Sequence, residues 1–146
     1  MIQVVIDTSV LIRYLIRPSV AIRRLIEDVW LEDKVRLVTA PALLDELRGV
    51  LARESIQRFI APEEGAALMD TIIAKAYVLP PLGAIPAFTR DPKDDQFVAC
   101  ALAGEAPYLV TVDMDLLVLG AVSEVQIVTP EAFLDALSAS APAPED

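Results

Sequence analysis

The run Ile2-Gln3-Val4-Val5-Ile6 constrains this chain more than any other feature. It is short, rich in β-branched residues and nearly continuous in apolar character, the pattern of a strand buried on both faces. Such strands belong to parallel sheets with helices packed on either side. Val35 to Val38 and Tyr108 to Val112 repeat the pattern, and Tyr77 to Leu79 and Val125 to Val128 are shorter versions. Helical signals fill the intervals. Thr8 or Ser9 is positioned to cap a helix over Val10 to Ile16 that Pro18 ends. Ile22, Leu25, Ile26, Val29 and Trp30 fall at helical spacing, and Thr39 with Pro41 opens a helix carrying Leu43, Leu44, Leu47, Val50 and Leu51 on one face. Further helices are expected from Pro62 to about Ala76, from a cap at Asp94 or Asp95 to Ala103, and from Pro130 to Leu137. A proline-rich loop runs from Pro80 to Pro92. Strands alternating with helices predict a parallel α/β sheet covered on both faces.

The 146 residues suit one domain with one core, and no internal repeat or linker divides them. Residues 1–137 are expected to form that domain. Ser138 to Asp146 is alanine, serine, proline and acid, a composition expected to be disordered. The apolar runs are too short to span a membrane, and Met1 leads straight into the first strand with no basic leader, so a cytoplasmic protein is expected.

Composition narrows the chemistry. Cys100 is the single cysteine and there is no histidine, which removes disulfides, most zinc spacings, ordinary serine triads and histidine bases. Cys100 reads as a small buried helix residue. Carboxylates, hydroxyls, lysine and arginine remain. A net charge of −10 argues against a general nucleic-acid coat, since affinity for a phosphate backbone comes from cations, although arginines cluster between Arg13 and Arg58.

The carboxylates are where the pattern converges. Two strands run directly into aspartate, as Val5-Ile6-Asp7-Thr8 and Val110-Thr111-Val112-Asp113. Both side chains therefore leave the same edge of a parallel sheet, the edge where pockets form. Glu46 lies one turn inside the helix after the second strand, and Asp94 and Asp95 start a helix before the fourth; helix N-termini face that edge too. Taken singly, each acid is equally well a helix cap or a solvated charge. Together they crowd like charges at a cost that a cation offsets, and an oxygen-only donor set selects Mg²⁺ or Mn²⁺. Thr8, Ser9 and Thr111 are placed to hydrogen-bond a water or a ligand carboxylate, and Arg13, Arg17 and Arg48 are candidates for phosphate contact.

With these residues in view, the chain resembles the PIN-domain nucleases, specifically the branch described as toxin components of toxin-antitoxin systems. The resemblance runs from Val4-Val5-Ile6-Asp7-Thr8-Ser9-Val10-Leu11 to Thr129-Pro130-Glu131-Ala132-Phe133. It is most specific at Pro41-Ala42-Leu43-Leu44-Asp45-Glu46-Leu47, at Arg90-Asp91-Pro92-Lys93-Asp94-Asp95-Gln96-Phe97 and at Leu109-Val110-Thr111-Val112-Asp113-Met114-Asp115-Leu116-Leu117. It implies a Rossmann-like, three-layer α/β/α PIN fold around a parallel sheet of about five strands. It also implies a ribonuclease dependent on Mg²⁺ or Mn²⁺, with Asp7, Glu46, Asp95 and Asp113 at the catalytic acidic positions, Asp115 as a further metal ligand, and Asp94 as a neighbour of lesser weight. An RNA substrate and a cognate antitoxin follow from the same resemblance. The apolar faces of the Ala21 to Trp30 and Pro62 to Ala76 helices lead us to expect a homodimer. Val112 departs from the pattern, since that position often carries glycine or a basic residue.

Two rivals use the same acids. An aspartyl-phosphate phosphatase or receiver-like domain would make Asp7 a nucleophile. The phosphatase pattern wants an acid where this chain has Ser9, and the receiver pattern wants an acidic pair that is absent here. A non-catalytic module holding a structural ion is the other. A dinucleotide site is disfavoured, because no glycine-rich turn follows the first strand.

Overall fold

The computed structural model describes residues 1–140. Its six strands are β1 (Ile2–Ile6), β2 (Val35–Thr39), β3 (Tyr77–Val78), β4 (Tyr108–Val110), β5 (Ala121–Val122) and β6 (Val125–Val128). They form one sheet in the order β3-β2-β1-β4-β6-β5. All neighbours are parallel except β5, which pairs antiparallel with β6 at the edge. β5 was not expected from the sequence.

The period of two along each strand splits the core into two layers. Val4, Ile6, Leu37 and Val110 face one side, and Val5, Val38, Leu109 and Ile127 face the other. The first layer is covered by α1 (Thr8–Ile16), α2 (Val20–Arg23) with the π-helical stretch Arg24–Trp30 that continues it, α5 (Pro62–Lys75) and α8 (Pro130–Ser140). Phe133 of α8 is fully buried and meets the Tyr108 ring edge-on, centroids 5.2 Å apart. The second layer is covered by α6 (Pro92–Ala103). α3 (Pro41–Leu51) spans the switch between layers, with Leu47 in the first and Leu43 in the second. The short helices α4 (Glu54–Gln57) and α7 (Met114–Leu117) complete the chain order.

Several helix boundaries differ from expectation. The stretch from Val20 to Trp30 is not one α-helix. From Arg24 it widens to i→i−5 bonding, as in Leu31 N to Ile26 O at 2.9 Å, while Leu25, Ile26, Val29 and Trp30 stay buried on the core wall. Helix α8 continues to Ser140, three residues past Leu137, so Ser138 to Ser140 are helical, and the rest of the expected tail, 141–146, lies outside the described residues. Cys100 is fully buried in α6, where burial pushes its thiol up to about 12. No helix among the described residues is long and apolar enough to cross a membrane.

Candidate metal centre

Asp7 follows β1 while its N–H still reaches the ladder, donating to Val110 O at 2.9 Å. Its side chain is the N-cap of α1, accepting from Ser9 N, so the cap lies one residue before the Thr8 or Ser9 expected. The carboxylate is only 4% exposed. Oδ2 accepts from the Thr111 hydroxyl at 2.6 Å and from the Ser9 hydroxyl at 2.9 Å. Burial raises the Asp7 pKa; the bonds from Thr111 and Ser9 pull it back, and the charge on Asp113 adds to the rise.

Thr111 is fully buried and joins two strand ends. While donating to Asp7, its Oγ1 accepts from Asp113 N at 2.9 Å. The Asp113 side chain in turn caps α7 by accepting from Asp115 N at 2.9 Å. A single hydroxyl therefore fixes the spacing of the acids that end β1 and follow β4. On the other flank, half-buried Glu46 of α3 accepts from the Thr8 hydroxyl at 2.8 Å. Its pKa is raised by burial, lowered by the Thr8 bond, raised again by the Asp7 charge and lowered by Lys93.

The adjacent acids of α6 are divided. Asp91 is the N-cap, accepting from Lys93 N, and Pro92 takes the first helical position, so neither Asp94 nor Asp95 is the cap expected. Asp95, expected among the converging acids, is 4% exposed and turns into the preceding loop. Its Oδ1 accepts from Phe88 N at 3.0 Å, Thr89 N at 2.7 Å and the Thr89 hydroxyl at 2.9 Å. Asp94 points the other way, and one oxygen of each of Asp94, Asp113 and Asp115 falls within 4.8 Å of the others. Burial, then the charges of Asp113, Asp91, Asp7 and Asp115, push its carboxyl from 3.8 up to about 7. The donor set is all oxygen, at a spacing one hard divalent cation bridges, which fits Mg²⁺ or Mn²⁺.

Among the described residues, Arg13, Arg17 and Arg48 form no ion pair with these acids. Arg13 and Arg17 are exposed on and just after α1. Arg48 pairs with Asp45 at 2.9 Å and borders a cleft of about 350 Å³ between α3 and α5 that none of these acids lines. Cations at the centre come from the α6 block itself. Arg90 pairs with Asp115 at 2.9 Å, and Lys93 acts on Glu46. Neither was expected at the centre, although both sit in the Arg90 to Phe97 block, beside the Asp91-Pro92 cap.

Fold and site together define a three-layer α/β domain with an all-oxygen carboxylate centre at the carboxyl ends of its parallel strands. The chain belongs to the PIN domain family, whose model matches residues 3–115. The fold is shared with solved structures, among them these two. VapBC2 from Rickettsia felis, determined bound to a DNA fragment from its promoter, is 13% identical with a TM-score of 0.58; the match covers 86% of this chain and 97% of that one. PAE2754 from Pyrobaculum aerophilum is 16% identical with a TM-score of 0.59, covering 95% and 91%. A comparison with curated proteins finds no match.

Proposed function

We propose that the chain is a divalent-metal-dependent nuclease that hydrolyses phosphodiester bonds in RNA and acts as the toxin of a toxin-antitoxin pair. The observation that carries the reading is the Asp94, Asp113 and Asp115 cluster beside buried Asp7, a concentration of negative charge that folding alone would disfavour. The metal ligands are Asp7, Asp94, Asp113 and Asp115, with Glu46 completing the centre. The three donors on Asp95 support a loop-positioning role for it, in place of the catalytic role expected from the sequence.

When bound, Mg²⁺ or Mn²⁺ supplies an acidified water and neutralises charge on the phosphate. The protein's own part is positional. Thr111 and Ser9 hold the Asp7 carboxylate in one rotamer, and the Asp113 N–H bond to Thr111 keeps the second strand-end acid in register with it. Glu46, held by Thr8 and with its pKa raised by burial, is suited to take a proton from the attacking water. Arg90 and Lys93 supply positive charge where the substrate's phosphates enter.

The antitoxin partnership is supported by the resemblance and by the fold shared with the VapBC2 structure. A homodimer is supported by large apolar residues left exposed, Phe59 and Ile73 among them. The test of function is cleavage of labelled single-stranded RNA with Mg²⁺ or Mn²⁺. Chelator should abolish it, and Asp94→Asn and Asp113→Asn should each remove most of the rate. Cleavage that persists in chelator, or full turnover in both variants, overturns the reading.

A further inference from the structure

Beside the acid cluster lies a groove of about 550 Å³, formed by the loop before α6 and by α7. Phe88, Met114, Val118 and Leu119 make it predominantly apolar, while Arg90 and Asp115 stand where it meets the cluster. Asp115 belongs to both, so the groove is continuous with the metal centre.

We infer that this groove is the subsite for the unpaired nucleotide flanking the scissile phosphate, with the base against Phe88 and Met114 and a phosphate on Arg90. The inference rests on the nuclease reading above and adds to it the place that holds the base beside the scissile phosphate. Met114 is 72% exposed and Val118 78%, apolar side chains kept in water that a base would cover. Phe88 is better fixed. It packs on the second core layer, and its N–H is held by Asp95, the residue next to the ligand Asp94. Its position is therefore tied to the centre through one helix turn.

Charge selects an anion with an apolar body. The chain carries −10 overall, so an acidic ligand finds attraction only where a cation stands, and the Arg90 side chain at the groove is 86% exposed. One guanidinium nitrogen bonds Asp115, which aims the group and leaves other donors for a phosphate. A nucleotide unites an anionic phosphate with a flat apolar base. A paired base presents neither face to such a groove, so the site takes single strands.

The test compares cleavage of a single-stranded RNA with one scissile site against the same RNA carrying an abasic nucleotide beside that site. Met114→Ala and Phe88→Ala should each raise KM for the intact RNA by about tenfold, the scale of one base stack. The abasic substitution should raise the wild-type KM similarly, and variant and abasic substrate combined should be no worse than either alone. Arg90→Gln should flatten the dependence of log(kcat/KM) on log salt by about 0.7. Met114→Ala should melt as wild type, so its KM is a clean reading even where Phe88→Ala loosens the loop. Unchanged KM in Met114→Ala, fully additive effects, or equally fast cutting of duplex RNA would overturn the inference while leaving the nuclease reading intact. Wild-type protein that cuts no RNA with either metal would overturn both.

Discussion

Asp94→Asn separates the cost of the acid cluster from its use. In metal-free protein the Asp94 carboxyl is pushed from 3.8 to about 7, by burial first and then by Asp113, Asp91, Asp7 and Asp115. A raised folded pKa means that the native state binds more protons than the unfolded chain between those values. Stability at this site therefore falls as pH rises from about 4 to about 7, and the full penalty stands above that. Taken at face value the gap is worth about 4 kcal/mol, at 1.36 kcal/mol per pKa unit. Because the side chain is partly rather than fully buried, screening by water brings the expected figure to about 1–2 kcal/mol. Asn keeps the volume and loses the charge. In chelator at pH 8 the variant should melt about 2–8 °C above wild type, given about 2–4 °C per kcal/mol at this chain length, and the two should converge near pH 4. Saturating metal should reverse the order, since a ligand at a hundredfold excess over its dissociation constant adds about 2.7 kcal/mol to the form that binds it. The assay is a melting series from pH 4 to 8 with and without Mn²⁺. Identical melting of both proteins across that range in chelator would refute the argument, as would an equal gain from metal.

Other substitutions probe the supporting structure. Thr111→Val should weaken metal binding by about 10–100-fold, measured by Mn²⁺ titration, and Thr111→Ser should restore most of it, because the hydroxyl fixes Asp7. Asp95→Ala should cost about 1–3 kcal/mol in urea unfolding, equally in metal and in chelator, since it leaves the amides of Phe88 and Thr89 without their acceptor. Equal metal responses in Asp95→Ala and wild type would separate this role from that of Asp94. Gly104→Ala should destabilise by about 1–3 kcal/mol, because a Cβ there would lie 2.6 Å from Val38 Cγ1 and 3.2 Å from the Cys100 carbonyl, with backbone on one side unable to move.

What the sequence revealed followed the strength of each local signal. The five expected strands were legible, β1, β2 and β4 most clearly, because burial leaves little polar alternation along them. β5 was not. Its two residues turn back onto β6 through Ser123 and Glu124, and Ser123 takes a φ of +53° without the glycine or asparagine that would mark such a turn. The convergence of Asp7, Glu46 and Asp113 was legible because strand ends and helix starts share an edge. Asp94 and Asp95 were harder to rank, since consecutive helix residues point about 100° apart and the phase depends on where the helix begins. Treating Asp91-Pro92 as cap and first helical residue sets that phase and turns the neighbours in different directions. Arg90 and Lys93 were not legible as neighbours of the acids, because proximity along a helix says nothing of which face looks toward them.

The bond from Thr111 to Asp7 also has a consequence in time. It joins residues 104 apart, and β1 lies between β2 and β4, so one side of the first strand stays unpaired until β4 exists. Closure over such a separation is slow compared with local helix formation. On the ribosome, at about 5–20 residues per second, roughly 5–20 s separate the emergence of Asp7 from that of Thr111 and Asp113. During that interval neither the bond that orients Asp7 nor the second strand-end carboxylate is present. The acidic centre is therefore incomplete until about three quarters of the chain has been made.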